Sequence, residues 1–255
     1  MNVKDLAASG VTLTPSTSAD FGAQVEALIG TPSPADAPLI PYSLIVKNLT
    51  GQTIRGYALQ WTYIGQNGAT ADANYQVQDD FDPRQVGGAE IPPGGARVLS
   101  PSGLLRPSSI TYAASGSLMG PNTIAKLANY ASINVSLDAV AFDDGKIIGP
   151  NEGFAMNIWG AIHAAQRDVG MAALQKSHNS SADDVVIWLT SQSAQPEVHP
   201  ANATMHERLA GSSHWYQVYA RMAFQRLLEF STRSYDAMLA EASNLAQTPV
   251  PTLSR

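Results

Sequence analysis

The stretch SLDAVAFDDGKIIGPNEG, residues 136 to 153, sets Asp138, Asp143, Asp144 and Glu152 among Gly145, Gly149 and Gly153. Closely spaced carboxylates beside glycine turns are the raw material of a calcium loop, so their register decides between metal chemistry and turn chemistry. An EF-hand needs oxygen ligands at its first, third and fifth positions, glycine at the sixth and a bidentate glutamate at the twelfth. With Gly145 as the sixth, Val140 and Phe142 occupy the first and third places and Asn151 the twelfth. The pattern fails, and the stretch reads as a turn rich in carboxylates.

A second acidic cluster, QDDFDP at 78 to 83, places Asp79, Asp80 and Asp82 in an expected loop. These three are the candidate metal ligands, and calcium is the cation that loop carboxylates and backbone carbonyls would suit. Solvation accounts for the same three acids without a metal, and no other cofactor is expected. The histidines are His163, His178, His199, His206 and His214. His206-Glu207 opens like a zinc-protease helix, but the second histidine that motif requires is replaced by Ala210. A scattered hydrolase site could still draw on Asp79, Asp80 and Asp82 or on His199, His206 and His214. The chain holds no Gly-x-Ser-x-Gly elbow, no phosphate-binding Gly-Lys-Ser/Thr loop and no dinucleotide fingerprint.

The composition narrows the classes further. Across 255 residues, 44% are apolar and only 14% charged, so a core is affordable and the surface rests on neutral polar groups. That bias favours the envelope or exterior of a bacterium. A net charge of −6 repels phosphate backbones, which argues against nucleic acid as a partner. Cysteine is absent, removing disulfides and thiolate chemistry. No leader peptide or membrane span is expected within these residues.

The elements that must position these groups fall into two regimes. Up to about residue 150, short alternating runs broken by Gly, Pro and Asn predict antiparallel strands. Tyr42, Leu44 and Val46 form one run; NLTGQT turns the chain; Tyr57, Leu59, Trp61 and Tyr63 form the next, ending at the Asn67-Gly68 turn. Further strands are expected at 96–99 and near 109–113. In the last strand Ile133, Val135 and Leu137 point one way, then Val140 and Phe142 take the opposite phase. That switch predicts a β-bulge near Asp138 and Ala139, followed by a hairpin at Asp144-Gly145.

After Pro150 the period becomes helical. Asn151 is the expected N-cap of a helix reaching about Lys176, and SADD at 181 to 184 opens a shorter one. From His214 to about Leu245 runs a single long helical pattern, roughly 45 Å at the standard rise. Its apolar arc of roughly 200° is about twice what one core-facing stripe needs. Tyr216, Tyr219, Phe224, Leu227, Leu228 and Phe230 on that arc are candidate interface residues, to be covered by the chain's own elements or by a second copy.

VKNLTGQTIRGYALQWTY, EIPPGGARVLSP and SINVSLDAVAFDDGKIIGP together resemble the immunoglobulin- or fibronectin-III-like sandwich of many uncharacterised bacterial proteins. The resemblance spans residues 40 to 150, implies a scaffolding or binding role, and transfers no functional residue. The expected class is therefore α+β: an N-terminal antiparallel immunoglobulin-like sandwich over 1–150, with 1–38 a partly irregular lead-in. A helical region over 151–248 packs on it, and 249–255 form a flexible tail. The expected function is a non-enzymatic binding or structural protein with a protein partner. Self-association through the long helix is the alternative, and a hydrolase with a scattered site is the third reading.

Overall fold

A computed structural model of the chain describes residues 1–79, 90–105, 121–195, 212–249 and 252–253. The fold is α+β, with two sheets and a set of helices. The first sheet has the order β10–β9–β8–β4–β5: Thr252–Leu253, Lys146–Ile148, Ser132–Phe142, Ile54–Ile64 and Thr70–Asp79, with β1 (Asn2–Lys4) also on β8. The second runs β2–β3–β6–β7: Val11–Pro15, Leu44–Asn48, Ala96–Ser100 and Gly103–Leu105. The helices are α1 (Phe21–Ile29), α2 (Pro121–Ala128), α3 (Ala155–His178), α4 (Ala182–Ser193), α5 (Ser212–Ser231) and α6 (Tyr235–Ala246).

Alternation along β4 decides what each face does. Tyr57, Leu59, Trp61 and Tyr63 point into one apolar core shared with Val11, Leu13, Val46, Val98 and Leu99 of the second sheet. The opposite face carries small residues: Gly56, Ala58, Ala139 and Ala141. These let α3 approach closely, and Ala58, Ala139 and Ala141 share a second cluster with Ile158, Trp159 and Ile162. Trp159 lies so near the sheet that a Cβ at Gly56 would stand 3.1 Å from its ring. The NLTGQT turn is held by the buried Asn48, whose Nδ2 donates to the carbonyls of Gln52 and Ile91, each at 2.8 Å.

The expected bulge is present. Ala58 pairs with Ala139 and Leu59 with Leu137, so Asp138 is the extra residue in β8. A second slip lies between Ile54 and Gly56, with Arg55 extra in β4. Each bulge resets the alternation, which is how Leu137 and Val140, and likewise Ile54 and Tyr57, face the same core.

Within the partly irregular lead-in over 1–38, β1 joins β8 in parallel, β2 pairs with β3, and α1 buries Phe21, Val25 and Ile29 at four-residue steps. Other expectations need correction. The sheets are not wholly antiparallel, since β10 also joins β9 in parallel. Thus the tail expected to be loose adds a strand to the first sheet. The single long helix is broken at residues 232–234, where Ser234 turns extended and its side chain accepts from the Ala237 amide at 3.0 Å. The break folds α6 back so that Met238, Ala242 and Leu245 join Leu227, Val169 and Leu189 in a third cluster. The strand expected near 109–113 lies outside the described residues.

In the helical layer α3 and α6 approach closely at Gly170. A Cβ on Gly170 would lie 2.4 Å from the Ala246 nitrogen, whereas one on Gly160, in the same helix, would meet nothing within 4 Å. Gly160→Ala should therefore stabilise by up to about 1 kcal/mol through helix propensity. Gly170→Ala should cost about 1–3 kcal/mol or more through overpacking. Urea midpoints of the two variants check the pair, and equal shifts would contradict this helix crossing.

His163 of α3 is buried, and its Nδ1 donates to the Pro249 carbonyl at 2.6 Å, fastening the residues just before β10. Burial lowers its pKa below 6.5, opposed by that hydrogen bond and helped by the positive Arg55 and Arg167. The unfolded chain thus binds a proton that the folded one refuses. Stability is complete above about pH 6.5 and falls as the pH drops below it. In His163→Asn, which keeps a neutral donor in the same place, the melting temperature should lose that slope between about pH 7 and pH 5.5.

Candidate functional site

Residues 149–154 link β9 to α3 in a backbone that few sequences could adopt. Gly149 has φ +116, and a Cβ there would lie 2.3 Å from the Asp138 carbonyl oxygen. Asn151 has φ 55 and Phe154 has φ 63. Asparagine tolerates the left-handed region, but a bulky phenylalanine there is an outlier, costing on the order of 1–3 kcal/mol.

What holds the segment is the bulged residue of β8. Asp138 is 2% exposed. Its Oδ1 accepts from the Glu152 amide at 2.7 Å; its Oδ2 accepts from the Gly153 amide at 3.0 Å and from the Tyr75 hydroxyl at 2.6 Å. The Asp138 carbonyl accepts from the Asn151 amide at 3.0 Å. Donors approach both carboxylate oxygens, the pattern of an ionised group. Tyr75 packs tightly against Gly153, where a Cβ would fall 2.1 Å from a ring carbon. Burial, then the Asp138 carboxylate, raise the Tyr75 pKa well above its ordinary value. Asn151 does not cap α3 as the sequence predicts: the helix begins at Ala155, and the Asn151 side chain accepts from the Met156 amide at 2.8 Å.

Beside this segment lies a cleft of about 660 Å³ between β4, β5, the start of α3 and α5. Gln60, Tyr75, Glu152, Phe154, Ile158 and Trp215 are among the residues lining it. Phe154, at 50% exposure, is one of the few large apolar side chains left in solvent, and the cleft is where it stands. A second, smaller cleft of about 350 Å³ has a mixed lining that includes Arg55, Asp143, Gln166, Arg226 and Glu241. There the nearly buried Glu241 is paired with Arg226 at 2.5 Å, so the ion pair ties α5 to α6.

The sites expected from sequence are placed as follows. Asp79 ends β5 opposite Gly56, while Asp80 and Asp82 lie outside the described residues, as do His199 and His206. Among the described residues, no group of three His, Asp or Glu could hold a metal ion. His214 falls in α5 and His178 ends α3. Asp144 does turn chemistry, accepting from the Lys146 amide at 2.8 Å and from Gln52 at 2.6 Å.

Of the expected interface residues, Leu227 and Tyr219 are buried within the chain. Phe224 meets Trp188 of α4 edge to face at 5.5 Å, and the Tyr216 hydroxyl donates to Asp168 of α3 at 2.9 Å. Arg233 stacks over Phe230 at 4.5 Å, and Leu228 is partly buried against the third cluster. No helix among the described residues is long and apolar enough to cross a membrane. Comparisons with family models, curated proteins and solved structures found no match to the chain.

Tyr75→Phe removes one donor from a buried carboxylate and should cost about 1.5–3 kcal/mol. Asp138→Asn should cost more, because its amide would turn a donor toward a backbone N–H. Chemical denaturation measures both, and a neutral result for Asp138→Asn would contradict its role as organiser of the link.

Proposed function

We propose that the chain is a non-enzymatic binding protein, built on an immunoglobulin-like scaffold, that takes a small ligand in the cleft between the first sheet and the helices. The observation that carries this reading is Phe154: left-handed in backbone, half exposed, and set at the mouth of the aromatic cleft. Core packing does not account for an exposed ring, and folding alone would favour glycine or asparagine at that φ. Strain that the surroundings over-determine is characteristic of ligand sites. A cleft of a few hundred Å³ with mostly apolar lining and a few polar groups is the usual form of a small-molecule site. Among the described lining residues, no histidine, serine or second carboxylate stands beside Glu152. Glu152 is exposed on a loop, and the Asp138 carboxylate is committed to three donors. The neutral polar surface suits a bacterial envelope or exterior location.

Phe154→Gly separates binding from folding. Losing a half-buried ring costs about 1 kcal/mol, and relief of the left-handed backbone returns about 1–2 kcal/mol. The melting temperature should therefore stay level or rise. In saturation-transfer NMR with a panel of small cationic, anionic and neutral compounds, the intact chain should give mutually competing hits that Phe154→Gly loses. No hits, or hits unchanged in the variant, would overturn the reading.

A further inference from the structure

We infer that the ligand of this cleft is an alkylated organic cation, a quaternary ammonium or methylated amine group. The inference rests on the binding role proposed above. Three aromatic side chains, Tyr75, Phe154 and Trp215, line the cleft, and the formal charge among its described lining residues is the carboxylate of Glu152. No lysine, arginine or histidine is among those residues. Aromatic faces with one carboxylate and no cation select a positively charged guest and disfavour an anion.

The negative charge is reinforced from behind. Every described partner of the Asp138 side chain is neutral: two backbone amides and the Tyr75 hydroxyl. The carboxylate therefore stands at the hydroxyl end of Tyr75 with no positive side chain among its described partners. A phenol donating at 2.6 Å to a carboxylate is electron-rich, which strengthens the attraction of its π face for a cation.

Two of the polar groups in the lining are already committed within the chain. Gln76 is committed on both sides, accepting from Trp61 Nε1 at 2.8 Å and donating to the Ser100 carbonyl at 3.3 Å. The Tyr75 hydroxyl is taken by Asp138. Gln60, Asn74 and Glu152 also line the cleft and offer acceptors to an ammonium, so the preference for an alkylated cation rests on the three aromatic faces, whose attraction needs no N–H donor. A quaternary ammonium has no donor to satisfy and is cheap to desolvate. The overall charge of −6 also favours a cation at long range.

The test uses the full-length chain and isothermal titration with choline and with 3,3-dimethylbutan-1-ol, its uncharged isostere. Choline should bind roughly tenfold tighter. Glu152→Gln, an exposed change that leaves the fold intact, should weaken choline severalfold without affecting the alcohol. Phe154→Gly should weaken both. Equal affinity for the two compounds would overturn the cation inference while leaving the cleft as a binding site. Absence of choline binding up to about 10 mM would overturn the cation inference, while hits from the wider compound panel that Phe154→Gly loses would still uphold the cleft as a binding site. Nα-acetyl-trimethyllysine amide, run beside choline, distinguishes the source of the same chemistry. Tighter binding of the former identifies a methylated side chain on a partner, and tighter binding of choline a free small molecule.

Discussion

A buried carboxylate governs the junction between sheet and helices. Withdrawing Asp138 from water is expensive unless donors replace the lost hydration, and the donors supplied are the amides of Glu152 and Gly153 and the hydroxyl of Tyr75. That requirement fixes three otherwise independent parts: edge strand β5 through Tyr75, central strand β8 through the bulge, and the start of α3 through the link. The close contacts at Gly149 and Gly153 follow from it, since each lies where a Cβ would collide with Asp138 or with Tyr75. The left-handed Phe154 follows too, because the segment must turn onto α3 immediately after its amides have been captured.

The bulges serve a second purpose. A strict alternation through β4 and β8 would send the apolar residues of one half of each strand to the helix side. With Arg55 and Asp138 inserted, both halves feed the core between the sheets, and the other face keeps the glycine and alanines on which Trp159 rests. The helices can then sit close over most of the sheet. Toward β5 the lining changes to Gln60 and Tyr75, and the space bounded by Phe154 and Trp215 is the cleft.

Much of this was legible in the residues, for reasons that are local. Alternation located β3, β4, β6 and β8; the phase change after Leu137 located the bulge; Asn67-Gly68 marked its turn, with Gly68 at φ 78. Ser181 caps α4 as read, its side chain accepting from the Asp184 amide. Signals were also present that a stronger pattern hid. Ser234 is a sound cap, but the helical period continues straight through it because α5 and α6 each present an apolar stripe to the same cluster. Phe21, Val25 and Ile29 have helical spacing in a short run between proline- and serine-rich flanks. The cleft itself was not legible. Its lining comes from β4, β5, the link and α5, and neither the burial of Asp138 nor the conformation of Phe154 is a property of neighbouring residues. The glycines at 149 and 153 were the available signal, read there as turn formers when they answer to tertiary contacts.

The central claim is that Asp138 holds the link to α3 as firmly as the sheet itself. Native-state hydrogen exchange of the Glu152 and Gly153 amides tests it directly. These amides lie in a surface connection outside regular structure, yet both donate to a buried carboxylate. The account predicts that they exchange as slowly as the amides of the β8 ladder, opening only with global unfolding. Exchange at the rate of an unprotected loop would contradict it.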